Sequence, residues 1–344
     1  MKKRCLSFIL ALILAVVCLP TAALAAEGEE DFLYLSLGDS IAAGFGLPDA
    51  GFEYLDGLHY EMGNNFQNYS SLCYTALIAD EFGWSREQAL NLGLPGAGSQ
   101  TLLEVLQTGS SDHLFPYSHP EIREYVKKAD LISLEIGLND ALIPYQMTLF
   151  QNINPKLDEF LGVIQSGTLS VLNEETAGMV LDSLKGIRLS WLEFQELCRL
   201  IIGEISPATQ DGLNATRQNL PQIIDTIREL NPDVEILLLG YANPLPLLPN
   251  MRNYFKEMNA FAEELAKEKD VIYIPTPNTR YNLSAHPTAS GHAYISEQMI
   301  PVIRALGYCS HLPIKSESRC KIAAALLFCL KISALGHRPE FFHQ

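Results

Sequence analysis

Four short segments hold the residue types that acyl transfer requires: a nucleophile, a base to take its proton, and donors for an oxyanion. Gly38-Asp39-Ser40 offers a hydroxyl, followed by a small, flexible run from Ile41 to Gly46. Asn91-Leu92-Gly93-Leu94-Pro95-Gly96 offers a backbone N–H, because glycine lets the main chain approach a ligand closely. Gly137-Leu138-Asn139-Asp140 offers the side-chain amide of Asn139. His286-Pro287-Thr288-Ala289-Ser290-Gly291-His292 offers an imidazole at His286. Taken singly, a Gly-Asp-Ser is most often a turn, an Asn-Asp pair a helix cap, and a lone histidine a surface residue. Their order, and the places where they fall, make the set specific.

Each segment follows a short apolar run. Phe32–Leu37, Ala89–Leu92, Leu131–Ile136, Val234–Leu239 and Val271–Ile274 read as five strands, and the first three and the last lead into the four segments. Near-continuous apolar strands imply burial on both faces, hence a parallel sheet covered by helices. The stretches between them have helical spacing. Asn68–Phe82, Arg252–Glu268 and Thr288–Leu306 are three such helices, and Leu213–Leu230 is a fourth, with Asp211 as its N-cap and Asn231-Pro232 as its stop. Alternating strand and helix gives an α/β three-layer sandwich. In such sheets ligands bind beyond the carboxyl ends of the strands, where the polar segments fall.

In this order, GDSI at Gly38–Ile41, Gly96, GLND at Gly137–Asp140 and HPTASGH from His286 resemble the four blocks of the SGNH hydrolase (GDSL-type esterase/lipase) family. The resemblance covers the sheet-bearing parts of about residues 32–307. It implies a five-stranded parallel sheet of flavodoxin-like type and a carboxylic-ester hydrolase. It further implies that Ser40 attacks the ester carbonyl and His286 takes its proton. The Ser40 N–H, the Gly96 N–H and the Asn139 side chain then hold the oxyanion. Gly98 is the alternative to Gly96, which has the better spacing from Asn91. One position departs from the family: Leu283 stands where an aspartate usually precedes the histidine by three residues. A main-chain carbonyl near Asn282 orients His286, another carboxylate reaches in, or the protein is a weak or inactive relative. The expected reading is a Ser–His dyad acting on lipid or carbohydrate acyl esters. The rivals are a non-catalytic ligand-binding relative and an acyltransferase.

Three regions lie outside this frame. Lys2, Lys3 and Arg4, the apolar run Leu6–Leu19 and Ala23-Leu24-Ala25 have the pattern of a signal peptide over residues 1–25. The run is short for a membrane span of ~20 residues, so a secreted or cell-surface protein with no transmembrane span in the mature chain is expected. Residues 145–209 lack a strand signal and read as a helical insertion in the hydrolase domain (residues 26–310), either a lid or a decoration. Its candidate helices are Leu157–Ile164, Ala177–Ile187 and Trp191–Ile205. Residues 311–344 form a basic, apolar tail of no assigned role.

Composition restricts the function classes. Of 344 residues, 48% are hydrophobic and 19% charged, and 40 acidic against 24 basic side chains give a formal charge of -16. An acidic surface argues against nucleic acid as the partner and leaves small-molecule, glycan or lipid esters. Seven cysteines occur without CxxC spacing, so a zinc site is not expected, and Cys73 and Cys198 read as buried free thiols. His59, His113 and His119 match no metal motif and read as surface residues. Tyr54, Tyr60, Phe66 and Tyr69 could line an acyl pocket, with core packing the simpler role. There is no GxGxxG or Walker sequence, so no cofactor is implied.

Overall fold

The computed structural model describes residues 32–49, 52–56, 59–62, 66–113, 116–152, 182, 190–246, 251–282 and 285–308. The chain divides into two units at Leu33, and all that follows concerns the unit that begins there. The expected signal peptide, the predicted helices Leu157–Ile164 and Ala177–Ile187 (apart from Asp182), residue Leu283 and the tail lie outside the described residues.

Strand β1 (Tyr34–Gly38) runs into α1 (Ser40–Ala43), a single turn. A hairpin follows, β2 (Phe52–Asp56) with β3 (His59–Met62), then α2 (Tyr74–Phe82), β4 (Ala89–Gly93) and α3 (Ser99–Thr108). A ribbon of β5 (Ser110–Ser111) and β6 (Tyr117–Ser118) leads to α4 (Glu121–Val126), β7 (Leu131–Glu135) and α5 (Leu138–Asn152). The last described elements are α6 (Trp191–Leu230), β8 (Glu235–Leu239), α7 (Met251–Glu268), β9 (Ile272–Ile274) and α8 (Ala289–Ala305).

The five expected strands form one sheet in the order β4-β1-β7-β8-β9, parallel at every step. Leu35, Leu37, Leu92, Ile132, Leu134, Ile236 and Leu238 are buried in it. Helices α3 and α7 pack on α6, whereas α2 packs on α8. The chain moves from β1 outward to β4 and then back past β1 to β7, so right-handed crossovers put these two helix groups on opposite faces. The reversal of strand order falls between β1 and β7, where a doubly wound sheet opens a crevice at its carboxyl edge. Ser40 follows one of these strands and Asn139 the other.

Two expected helix starts are corrected. Helix α2 begins at Tyr74, not Asn68, because Ser70 and Ser71 are held by the Asp49 carboxylate (Ser71 N to Asp49 Oδ2, 2.9 Å). Helix α6 has no start at Leu213 behind an Asp211 cap; it is one helix of 40 residues from Trp191. Its start is a capping box: Ser190 Oγ accepts from Glu193 N at 3.3 Å, and Glu193 accepts from Ser190 N at 2.7 Å. At 1.5 Å per residue it spans about 60 Å, far more than a five-residue strand. Its later half meets the core through Leu220, Ile223, Ile224 and Ile227, whereas Trp191, Leu192, Phe194 and Ile202 nearer its start are exposed.

Candidate active site

The nucleophile turn is fixed from several directions. Gly38 sits beside Glu135 in the register of β1 and β7. A Cβ at Gly38 would collide with the Glu135 carbonyl oxygen and come within 2.8 Å of the Ala42 Cβ, so glycine is required. Asp39 caps the turn, its Oδ1 accepting from Ile41 N at 2.8 Å. From β4, the Asn91 Nδ2 donates to the Ala42 carbonyl at 2.8 Å while its Oδ1 accepts from Gly93 N at 3.0 Å. Ser40 is thereby held at the head of α1, 9% exposed, with its hydroxyl turned to the crevice rim.

His286 reaches that hydroxyl from the loop after the edge strand β9. Its Nε2 lies 3.0 Å from Ser40 Oγ, across 246 residues of sequence. The loop that carries it is closed by Asn282 N donating to the His286 carbonyl (2.8 Å) and His286 N donating to Asn282 Oδ1 (3.1 Å). Ala285 takes a φ of 63° to make this closure. The Phe45 ring packs on the imidazole at 4.8 Å between centroids, and Thr288 caps α8 directly behind.

The other candidate oxyanion residues lie in the turn after β4 and at the head of α5. Leu94-Pro95-Gly96-Ala97 is a turn closed by Ala97 N to the Leu94 carbonyl at 3.0 Å, with Gly96 at φ 87°. Proline at its second position and a positive φ at its third are the signature of a type II turn. The Asn139 Nδ2 donates to the Ala97 carbonyl at 3.0 Å and lies 3.4 Å from Asp39 Oδ2. Asn139 thus bridges from the residue after Gly96 to the residue before Ser40. Next to it, Asp140 accepts from Ser99 N at 3.0 and 3.2 Å and from the Thr216 hydroxyl at 2.9 Å, tying the head of α3 to α5 and α6. Tyr241 and Tyr254 hydroxyls secure the Ile136 and Gly137 carbonyls at 2.5 and 3.2 Å.

Burial dominates the electrostatics. It pushes the Asp39 carboxyl up to about 7, the Glu135 carboxyl well above its ordinary range, and Asp140 up to about 6. His292, buried on α8, is held down to about 3 by burial and by nearby His286, so it stays neutral. It accepts from Tyr74 N at 3.3 Å and stacks on that ring.

Sequence pattern alone did not single out Asn91 as a brace, Asp140 as an anchor, or Glu135. Glu135 had a signal: it is the one charged residue in the apolar run Leu131–Ile136. The other expectations fall as follows. Phe66 packs on His119 and Tyr125, and Tyr69 bonds the Ala89 carbonyl at 2.5 Å under the Arg86 guanidinium. Both are packing residues, and the side chains of Tyr54 and Tyr60 are not among those described. Cys73 and Cys198 are free thiols, Cys73 buried as expected and Cys198 only partly so, on the part of α6 that stands away from the core. His113 is exposed and His119 meets Glu121 at 3.2 Å. Among the described residues no three His, Cys, Asp or Glu side chains are grouped to hold a metal ion, and no helix is long and apolar enough to cross a membrane.

The sequence matches the GDSL-like Lipase/Acylhydrolase family over residues 36–294, and the chain belongs to that family. No curated protein matches it. Among solved structures it is similar to an extracellular lipase from Streptomyces rimosus, with 19% identity, 80% of this chain and 99% of that one covered, and a TM-score of 0.44. A phospholipase A1 from Streptomyces albidoflavus NA297 gives 16% identity, 80% and 99% coverage, and 0.43. A family two carbohydrate esterase from Clostridium thermocellum gives 13%, 80% and 65%, and 0.41.

Proposed function

We propose that this family member is a secreted serine esterase whose working groups are Ser40 and His286. The observation that carries the reading is the 3.0 Å contact between His286 Nε2 and Ser40 Oγ, the reach a general base needs. Ser40 Oγ forms a bond to the ester carbonyl carbon as His286 takes the hydroxyl proton. The negative charge that develops on the carbonyl oxygen is met by the Ser40 N–H, the Gly96 N–H and the Asn139 amide, whose longer contact to Asp39 is the one the oxyanion replaces. The carbon–alkoxide bond breaks, the alcohol leaves with the proton from His286, and an acyl-serine remains. Water then enters with His286 as base, releasing the carboxylic acid and restoring Ser40. The substrate class is a carboxylic ester of a lipid or carbohydrate. Export is supported by the basic, apolar and small-residue pattern of residues 1–25.

The test is hydrolysis of a short p-nitrophenyl ester together with labelling by a fluorophosphonate. Ser40→Ala loses both, by at least ~10³-fold in turnover, while its circular dichroism and melting temperature stay those of the parent. Turnover retained by Ser40→Ala removes Ser40 from the mechanism.

A further inference from the structure

Two carboxyl groups sit directly behind the nucleophile, and the reaction just described uses neither. Register pairs Gly38 with Glu135 and Ser36 with Ser133, so all four project from the same face of the sheet. The two serine hydroxyls there are matched by tyrosines, Ser36 with Tyr74 at 2.7 Å and Ser133 with Tyr34 at 2.9 Å. Glu135 differs. It is 3% exposed, its carboxyl contacts that of Asp39, and its Oε2 receives no hydrogen bond. A carboxylate oxygen in that position carries a full desolvation cost. A protonated carboxyl that donates to Asp39 does not, and two facing carboxylates cannot both ionise.

We propose that Glu135 is a positioning residue for the oxyanion site, holding a proton that it donates to Asp39. The shared proton does two things. It aims the remaining Asp39 lone pairs at Ile41 N, 2.8 Å away, and so fixes the turn that presents Ser40. It also draws charge away from Asp39 Oδ2, which lies 3.4 Å from the Asn139 amide. A bare Asp39 carboxylate would capture that amide and repel the charge forming beside it. The inference rests on the esterase reading, and it assigns to Glu135 a part in turnover without contact with substrate.

The neighbours support a proton confined to this pair. Tyr74 on α2, Tyr117 on β6, Tyr254 on α7, and Tyr241 and Tyr281 in the loops after β8 and β9 face the pair. Burial raises all five hydroxyls, so they stay neutral. Asp140 on α5 is the other nearby acid, and it is engaged by Ser99 and Thr216. His286 meets the site through Ser40 Oγ.

The experiment compares Glu135→Gln, which keeps a donor of the same shape, with Glu135→Ala, which removes it. Glu135→Gln retains kcat within about threefold, whereas Glu135→Ala lowers kcat at least ~10-fold with KM within about twofold, the split expected when a transition-state interaction is lost. The parent loses kcat at alkaline pH as the shared proton leaves, and Glu135→Gln does not. Equal kcat for the parent and Glu135→Ala, or an alkaline limb that survives in Glu135→Gln, overturns the proposal. If Ser40→Ala shows instead that the esterase reading is wrong, infrared spectroscopy still decides the proton. The parent-minus-variant difference spectrum at neutral pH shows a protonated-carboxyl C=O band, the Asp140 contribution being common to both proteins; a difference spectrum without that band overturns the assignment. This readout also serves if Glu135→Ala does not fold.

Discussion

Replacing Asp140 with asparagine removes one buried titration beside the candidate oxyanion amide and leaves the local shape intact. The Asp140 carboxyl accepts two contacts from Ser99 N and one from Thr216. Despite these bonds, burial pushes it from its ordinary 3.8 up to about 6. The folded protein thus binds this proton more tightly than the unfolded chain. The associated stability is complete below the unfolded value and is lost as pH rises through about 6. Between about pH 4 and pH 7, nearly two pH units at 1.36 kcal/mol each amount to about 2 kcal/mol. An asparagine oxygen still accepts from Ser99 N and does not titrate. Urea unfolding of parent and Asp140→Asn at both pH values therefore gives curves whose stabilities diverge, the parent losing about 2 kcal/mol more than the variant on going to the higher pH. Other buried acids contribute similarly to both proteins, apart from a smaller change at Asp39, whose upward shift the Asp140 charge adds to. Parallel pH dependence in the two would show that Asp140 titrates as it does in water, and that its burial does not govern its charge.

Two further outcomes follow from packing. Gly38→Ala drives a Cβ into the Glu135 carbonyl and Ala42, so it costs about 3 kcal/mol or more in unfolding free energy and abolishes turnover; a melting temperature like that of the parent would contradict the close approach of β1 and β7. Burial raises the Cys73 thiol and shields it, whereas Cys198 is partly exposed. Iodoacetamide at neutral pH followed by peptide mapping should therefore modify Cys198 and spare Cys73; equal labelling would refute the packing of α2.

The strands could be read from sequence because burial on both faces leaves little room for polar residues, and the runs around Leu35, Ile132 and Leu237 obey that rule. Their exceptions were harder to interpret. Ser36, Ser133 and Glu135 interrupt apolar runs, and nothing local says that tyrosines from α2 and β1 will satisfy two of them while Asp39 meets the third. The four chemical segments were recognisable because each follows a strand end, yet pattern could not show that Asn139 bridges Ala97 and Asp39. That depends on how β1, β4 and β7 line up across 100 residues. Helix boundaries failed where tertiary contacts override local signals. Asp211 has the chemistry of a cap, but the helix continues through it because Gly212 packs on Ala141 and Thr216 bonds Asp140. Asn68 has helical spacing to Phe82, but Asp49 claims the intervening serines.

The two halves of the candidate dyad are held by different means, and this predicts different failures. Ser40 stands on the sheet: Gly38, Asp39, Asn91 and the β4 turn each constrain it, and each is tied to buried strands. Changes there are paid in folding as much as in chemistry. His286 stands on a loop whose geometry is kept by two bonds to Asn282 and by Ala285 in the left-handed region. A non-glycine residue there costs on the order of 1 kcal/mol, offset by those bonds and by Phe45 against the ring. Losing the Asn282 amide would let the loop relax, and the imidazole would move away from Ser40 while the sheet stayed folded. Damage in β1, β4 or β7 therefore appears first as lost stability, and damage in residues 280–287 first as lost turnover.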